Sequence, residues 1–173
     1  MSEENRTERA LVLPPFKKAP ELRLEMDKII EAEHRIHESK MVSPVTYADL
    51  EHCYNEAYRD LRRHLSSIGY QIALADKALE EAKATVLLDK YPAFMDGKPK
   101  SHDSADLRRA FLTRDSDYNE ALDRINQLKA LESNFDGKIK VFENICRFMK
   151  KKMDLILRSG LSSTDLYNTQ NRK

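Results

Sequence analysis

Three groupings of side chains in this 173-residue chain have types and spacings that could do chemistry. Glu31-x-x-His34 has the i, i+3 spacing with which helical di-iron proteins present a carboxylate and an imidazole on one face. His34-x-x-His37 and Asp49-x-x-His52 share that spacing. A site of this kind needs matching Glu and Glu-x-x-His sets on neighbouring helices, and no second copy occurs; Asp49-x-x-His52 comes closest, with a shorter carboxylate. Histidines on a charged helix surface account for the pattern, so no metal is expected. Cys146 with a distant His suggests a nucleophile, but it falls on an apolar seam, where a free Cys behaves as a small hydrophobe. Cys53 and Cys146 lack metal-type spacing and are expected to be reduced thiols. With no Gly-rich phosphate loop, nucleophile elbow or zinc-finger spacing, the chain reads as non-enzymatic, with no catalytic residue and no cofactor.

Basic side chains carry more information. Between Lys138 and Arg158 there are seven of them, Lys138, Lys140, Arg147, Lys150, Lys151, Lys152 and Arg158, opposed only by Glu143 and Asp154. Lys140, Arg147, Lys151 and Arg158 follow one another at spacings of 7, 4 and 7, which puts them on one outer face of a helix. That stripe runs about 27 Å, several phosphate spacings. A solvated face that also favours the negative end of the helix explains the same residues. A second basic set comprises Lys83, Lys90, Lys98, Lys100, Arg108 and Arg109. Tyr91 and Phe94 are interleaved with it; they either stack bases or cap a hydrophobic end.

The elements that must position these groups are helices. Only 4 Gly and 6 Pro punctuate a sequence rich in Ala, Leu, Glu, Lys and Arg, which favours long uninterrupted helices over sheet. Residues 1–20, with Pro14, Pro15 and Pro20, read as a flexible or extended arm whose Leu11-Val12-Leu13 and Phe16 could dock. Leu22, Met26, Ile29 and Ile36 predict a helix over 21–42, starting near Pro20 and broken at Ser43-Pro44. Thr46-Tyr47-Ala48-Asp49 resembles a capping box. Two seven-residue series then follow: Glu51, Tyr58, Leu65, Ile72, Leu79, Val86, and Tyr47, Tyr54, Leu61, Ile68, Ala75, Ala82. Eleven of these twelve positions are apolar or Tyr, so one coiled-coil-like helix is expected over 46–90, through Gly69, ending at Tyr91-Pro92.

A loop over about 91–103 leads to a second helix over 104–158, capped by Ser101 or Ser104. Its series are Phe111, Tyr118, Ile125, Glu132, Ile139, Cys146, Met153, and Leu107, Arg114, Ala121, Leu128, Phe135, Phe142, Met149, Ile156. The register is unchanged across Asp136-Gly137, so the helix is expected to continue there and to stop at Ser159-Gly160. Residues 161–173 read as a polar tail. The predicted fold is all-α: a long antiparallel αα-hairpin over 46–160 with an extra N-terminal helix. Two helices leave much apolar stripe half-covered, so a homo-oligomer is expected.

The formal net charge of +1 leaves no global electrostatic footprint, so any anion-binding surface must be local. No apolar run approaches the roughly 18–20 residues that cross a bilayer. The acidic, polar Met1-Ser2-Glu3-Glu4-Asn5 does not suit a signal peptide. A cytoplasmic protein without membrane association is expected.

From about Tyr70 to Gly160 the chain resembles the UvsY-type recombination mediators of bacteriophages. The resemblance is carried by Ala82-Lys83-Ala84-Thr85-Val86-Leu87-Leu88-Asp89-Lys90-Tyr91, then Asp106-Leu107-Arg108-Arg109-Ala110-Phe111-Leu112 with Asp117-Tyr118, and finally Asp154-Leu155-Ile156-Leu157-Arg158-Ser159-Gly160. It implies a ring-like homo-oligomer that binds single-stranded DNA through its backbone. Such proteins help load a RecA-like recombinase onto DNA covered by single-strand-binding protein. The family's Lys-x-Arg cluster falls on Lys83-Ala84-Thr85, where Lys83 matches and Thr85 departs; Lys90, Lys98, Arg108 and Arg109 are positioned to compensate. The first 45 residues have no counterpart and read as a partner-docking extension. A coiled-coil structural or adaptor protein, such as a phage assembly or virion component without nucleic-acid binding, is the competing expectation.

Overall fold

The structure, a computed structural model, describes residues 9–99 and 103–159. Two strands, β1 (Ala10–Leu13) and β2 (Leu22–Glu25), form a small sheet. The helices are α1 (Asp27–His34), α2 (Ile36–Lys40), α3 (Tyr47–Thr85), α4 (Tyr91–Met95), α5 (Ala105–Leu112) and α6 (Ser116–Ser159). A π-helical turn, Val86–Lys90, joins α3 to α4. The described chain is mostly helical, as its composition requires. It divides into two compact units. One comprises Met1–Leu11, Arg23–Leu65 and Asn134–Lys173, and the other Val12–Leu22 and Ser66–Ser133.

In the first unit α3 and α6 run antiparallel. Tyr54 meets Phe142 at 5.6 Å between ring centroids, and His64, further along α3, meets Phe135, further back along α6, at 5.9 Å. Leu24, Ile29, Ala32, Val42, Leu50 and Leu61 complete this core with Ile139, Met149 and Ile156. In the second unit Ile68, Ala75 and Val86 are buried with Ala121, Ile125 and Leu128, and Ala19 and Leu22 join them.

The structure corrects the N-terminal expectations. The described part of the arm is extended over β1, one of the two states expected of it, whereas the helix predicted from residue 21 begins at Asp27. Leu22 and Leu24 are buried and Arg23 and Glu25 exposed, which is the period of a strand. Pro14 and Pro15 end β1, since neither can donate to a ladder. Between the strands Phe16 and Ala19 exchange backbone bonds of 3.0 and 2.8 Å around a two-residue turn, with Lys17 at φ 51°.

Burial on α3 follows one predicted series and replaces the other. Tyr54, Leu61, Ile68 and Ala75 are buried as expected, with Tyr47 and Ala82 half-buried at the ends; in the other series Val86 is buried, whereas Tyr58, Leu65, Ile72 and Leu79 are only half-buried. Leu50, Ala57, His64 and Gln71 are buried in their place. The N-terminal segment packs on that side of α3. His64 Nε2 lies 2.7 Å from the Glu25 carbonyl oxygen in the first unit, and Gln71 Nε2 donates to the Pro20 carbonyl at 2.9 Å in the second. A backbone acceptor meets each of the two buried side chains, although Gln71 Oε1 has no hydrogen-bond partner among the described residues.

Helix ends differ from expectation at three places. Tyr91-Pro92 does not stop the first long helix, which continues to Met95. Pro92 lacks an N–H and its ring crowds the carbonyl four residues back. The turn widens just before it, with the Tyr91 N–H bonded to the Val86 carbonyl, five residues earlier. The helix stops instead at Gly97, whose φ of +72° suits glycine at a C-terminal cap. Secondly, the helix expected over 104–158 is interrupted at Thr113–Asp115, because Asp115 Oδ1 accepts the Tyr118 N–H at 3.1 Å and caps α6. Arg114, predicted on the seam, is exposed at this break. Thirdly, Asp49 does not complete a capping box; its carboxylate pairs with Arg35 at 2.5 Å. Ser104 caps α5, accepting the Leu107 N–H at 3.1 Å, and α6 passes through Asp136–Gly137 unbroken. The expectations for Lys100, Ser101, Gly160 and the tail 161–173 lie outside the described residues.

Candidate nucleic-acid interface

The basic stripe of the last helix and the described members of the second basic set fall in different units. Lys83, Lys90, Lys98, Arg108 and Arg109 belong to the second, and Lys140, Arg147, Lys151 and Arg158 to the first.

In the second unit the cations surround an aromatic cluster. Tyr91, Phe94 and Phe111 lie 5.0 to 6.4 Å apart between centroids. Tyr91 is buried and its hydroxyl donates to Asp103 Oδ1 at 2.8 Å. Phe94 is in contact with Phe111, and Lys98 Nζ sits over its ring, 3.1 Å from the centroid. Tyr91 therefore packs within the cluster, whereas Phe94 is 42% exposed, with a lysine over its ring where a base would stack.

The charges there are answered as well. Arg108 grips Asp103 with two bonds, Nε to Oδ1 at 2.8 Å and Nη2 to Oδ2 at 2.5 Å. The Asp103 carboxyl is held below the usual carboxylate range, first by the hydrogen bond from Arg108 and then by that from Tyr91. Lys90 pairs with Asp115, whose carboxyl the hydrogen bond from Lys90 depresses in the same way. Lys83 lies 3.6 Å from Glu80, one helical turn away. Arg109 is exposed and forms no ion pair among the described residues.

In the first unit the α6 stripe is more open. Lys140 pairs with Asp136 at 2.7 Å. Arg147 reaches only the neutral Asn144 Oδ1, at 3.3 Å. Lys151 and Arg158 are exposed and, like Arg147, form no ion pair among the described residues. The remaining basic residues of this segment divide by face. Lys138 pairs with Glu33 of α1, Lys152 Nζ donates to the Lys40 carbonyl at 2.5 Å, and Lys150 is exposed.

The groupings considered for metal or nucleophilic chemistry do not assemble. Glu31, His34, His37 and His52 are exposed, and no three His, Cys, Asp or Glu side chains gather to hold a metal among the described residues. Cys53 and Cys146 are free thiols, both half-buried. Burial first, and then Glu51 and Glu143, push the Cys146 thiol up; burial and Glu31 do the same to Cys53. A raised thiol pKa leaves little thiolate to attack or to bind metal.

One feature of α6 went unread in the sequence. Val141, Phe148 and Leu155 recur every seven residues on the exposed side of the helix, 47%, 50% and 67% exposed. Their period is visible in the sequence, but α6 carries three seven-residue series there, and only packing tells which ones face inward.

No helix among the described residues is long and apolar enough to cross a membrane. The chain matches no family model, no curated protein and no solved structure.

Proposed function

We propose that this chain is a non-enzymatic accessory factor for homologous recombination, an oligomer that holds single-stranded DNA and helps load a RecA-like recombinase onto DNA covered by single-strand-binding protein. One observation carries the DNA-binding part: Arg147, Lys151 and Arg158 stand on one face of α6 without acidic partners among the described residues. Repetition of that weakly basic stripe around a homo-oligomer would supply avidity for a flexible polyanion although each chain is nearly neutral. The contacts go to phosphates, so affinity falls with salt and varies little with base sequence. The resemblance to UvsY-type mediators supplies the recombinase, the single-strand-binding protein and the cytoplasmic setting.

The test is fluorescence anisotropy with a labelled single-stranded oligonucleotide and a duplex of equal length, at low and high salt. Salt-sensitive binding that prefers the single strand is expected. Absence of binding at low salt overturns the proposal. A second reading, a coiled-coil adaptor or structural component without nucleic-acid binding, is favoured by the ion pairs that neutralise Lys83, Lys90, Arg108 and Lys140.

A further inference from the structure

The outer side of α6 in the first unit carries an apolar ridge about half or more of which is open to solvent. Val141, Phe148 and Leu155 form its line, and half-buried Ile145 fills the position between the first two. The spacing i, i+4, i+7, i+14 is the seam one helix offers another, about 21 Å long. Lys152 would interrupt the line, but its ammonium is turned to the Lys40 carbonyl. That bond places the α2–α3 connection, with exposed Met41, beside the ridge. The inward face is distinct: Phe135, Phe142, Met149 and Ile156 are buried about a quarter-turn or more away.

Charge tells what covers the ridge. The basic stripe of Arg147, Lys151 and Arg158 lies about 80° around the helix from the apolar line, along its open flank. From this juxtaposition we infer that the outer face of α6 docks an acidic amphipathic helix of a partner protein. The partner's apolar seam covers Val141, Ile145, Phe148 and Leu155, and its carboxylates meet the basic flank. A second copy paired antiparallel fits badly, because that arrangement would set the two basic flanks against each other. Single-stranded nucleic acid stacks on repeated aromatic platforms, whereas Phe148 is the one aromatic side chain on this ridge. The inference shares Arg147, Lys151 and Arg158 with the DNA-binding proposal but rests also on the apolar ridge, which that proposal does not use.

The test uses the full chain and two fluorescein-labelled helical peptides of about three heptads, with leucine at each seam position. One carries Glu on its flanks and the other Lys. Anisotropy should show the Glu peptide binding at least about tenfold more tightly than the Lys peptide, with a strong salt dependence. Phe148→Asp should abolish that binding, and Lys151→Glu should weaken it by about fivefold or more while strengthening the Lys peptide. Both variants should keep the wild-type circular dichroism melting curve, since both positions are exposed. Equal affinity for the two peptides, no binding of the Glu peptide, or binding unaffected by Phe148→Asp overturns the inference. So does sedimentation showing that Phe148→Asp dissolves a homo-oligomer, which gives the ridge to a second copy. Binding to phosphatidylserine vesicles that outcompetes the Glu peptide gives it to a lipid surface. Glu-peptide binding without oligonucleotide binding leaves this inference intact and removes the DNA proposal.

Discussion

The basic residues around the aromatic cluster of the second unit and those along the end of α6 look alike in sequence and differ in state. Around the cluster, Arg108 is clamped by Asp103, Lys90 by Asp115 and Lys83 by Glu80, and Lys98 covers a ring. Along α6, Lys140 is paired with Asp136, whereas Arg147, Lys151 and Arg158 form no ion pair among the described residues, although Glu143 and Asp154 lie one turn from them. A cation already bonded to a carboxylate must break that bond to reach a phosphate. A free one gives up only its hydration. Charge counts therefore overstate the first region, and of the two the α6 stripe is the one that supports the proposal of polyanion binding.

The comparison rests on the outer face of α6 having no structural duty, and two phenylalanines on that helix test it most sharply. Phe142 is 1% exposed against Tyr54, and Phe148 is half exposed. Phe142→Ala should cost about 3–5 kcal/mol in urea unfolding, and Phe148→Ala no more than about 0.5 kcal/mol. A large cost for Phe148→Ala would mean that the ridge is already occupied.

A smaller effect separates the two basic regions directly. Lys151→Glu with Arg158→Glu should lower single-stranded DNA affinity at least about tenfold at low salt, and flatten its salt dependence. Lys90→Glu with Arg108→Glu should change that affinity by less than about threefold, but lower the melting temperature, because Asp115 and Asp103 lose their partners. The reverse ranking would make the aromatic cluster the binding surface.

Acid should loosen the aromatic cluster and leave the α6 ridge unaffected. Asp103 and Asp115 have depressed carboxyl pKa values, from the hydrogen bonds of Arg108 and Lys90 respectively. Their pairs contribute fully above the ordinary carboxylate pKa of about 3.9, and the contribution is lost as pH falls through the depressed values. Aromatic NMR signals of Tyr91 and Phe111 should thus hold steady from neutral pH down to about pH 5 and move below about pH 4, with Phe148 not following. Asp103→Asn should shift the Tyr91 signal at neutral pH and remove its share of the acid step. The smallest effect concerns the thiols: at neutral pH, alkylation of Cys53 and Cys146 should run several-fold slower than that of free cysteine, followed by mass spectrometry.

What could be read from the sequence follows from the range of the interactions involved. Tyr54, Leu61, Ile68 and Ala75, with Ala121, Leu128, Phe135, Phe142, Met149 and Ile156, are buried at the spacings predicted for them. Helix period is a property of neighbouring residues, and these residues needed no more. The cap at Asp115 was present in Asp115-Ser116-Asp117 but was outweighed by a seven-residue register that runs straight across the break. The alternation Leu22-Arg23-Leu24-Glu25 also fits a helical spacing when Met26 and Ile29 follow it, and only pairing with β1 makes it a strand.

By itself the sequence determined that the chain is mostly helical, that a long helix starts near Tyr47 and another reaches Ser159, and that Gly69 and Asp136-Gly137 interrupt neither. Each is decided within a few turns of chain, by propensity and period. Tertiary structure alone decided that His64 and Gln71 are core residues, since their acceptors at Glu25 and Pro20 lie 39 and 51 residues away. It also decided which cations are free, since an ion pair forms only where packing brings the carboxylate within a few ångströms.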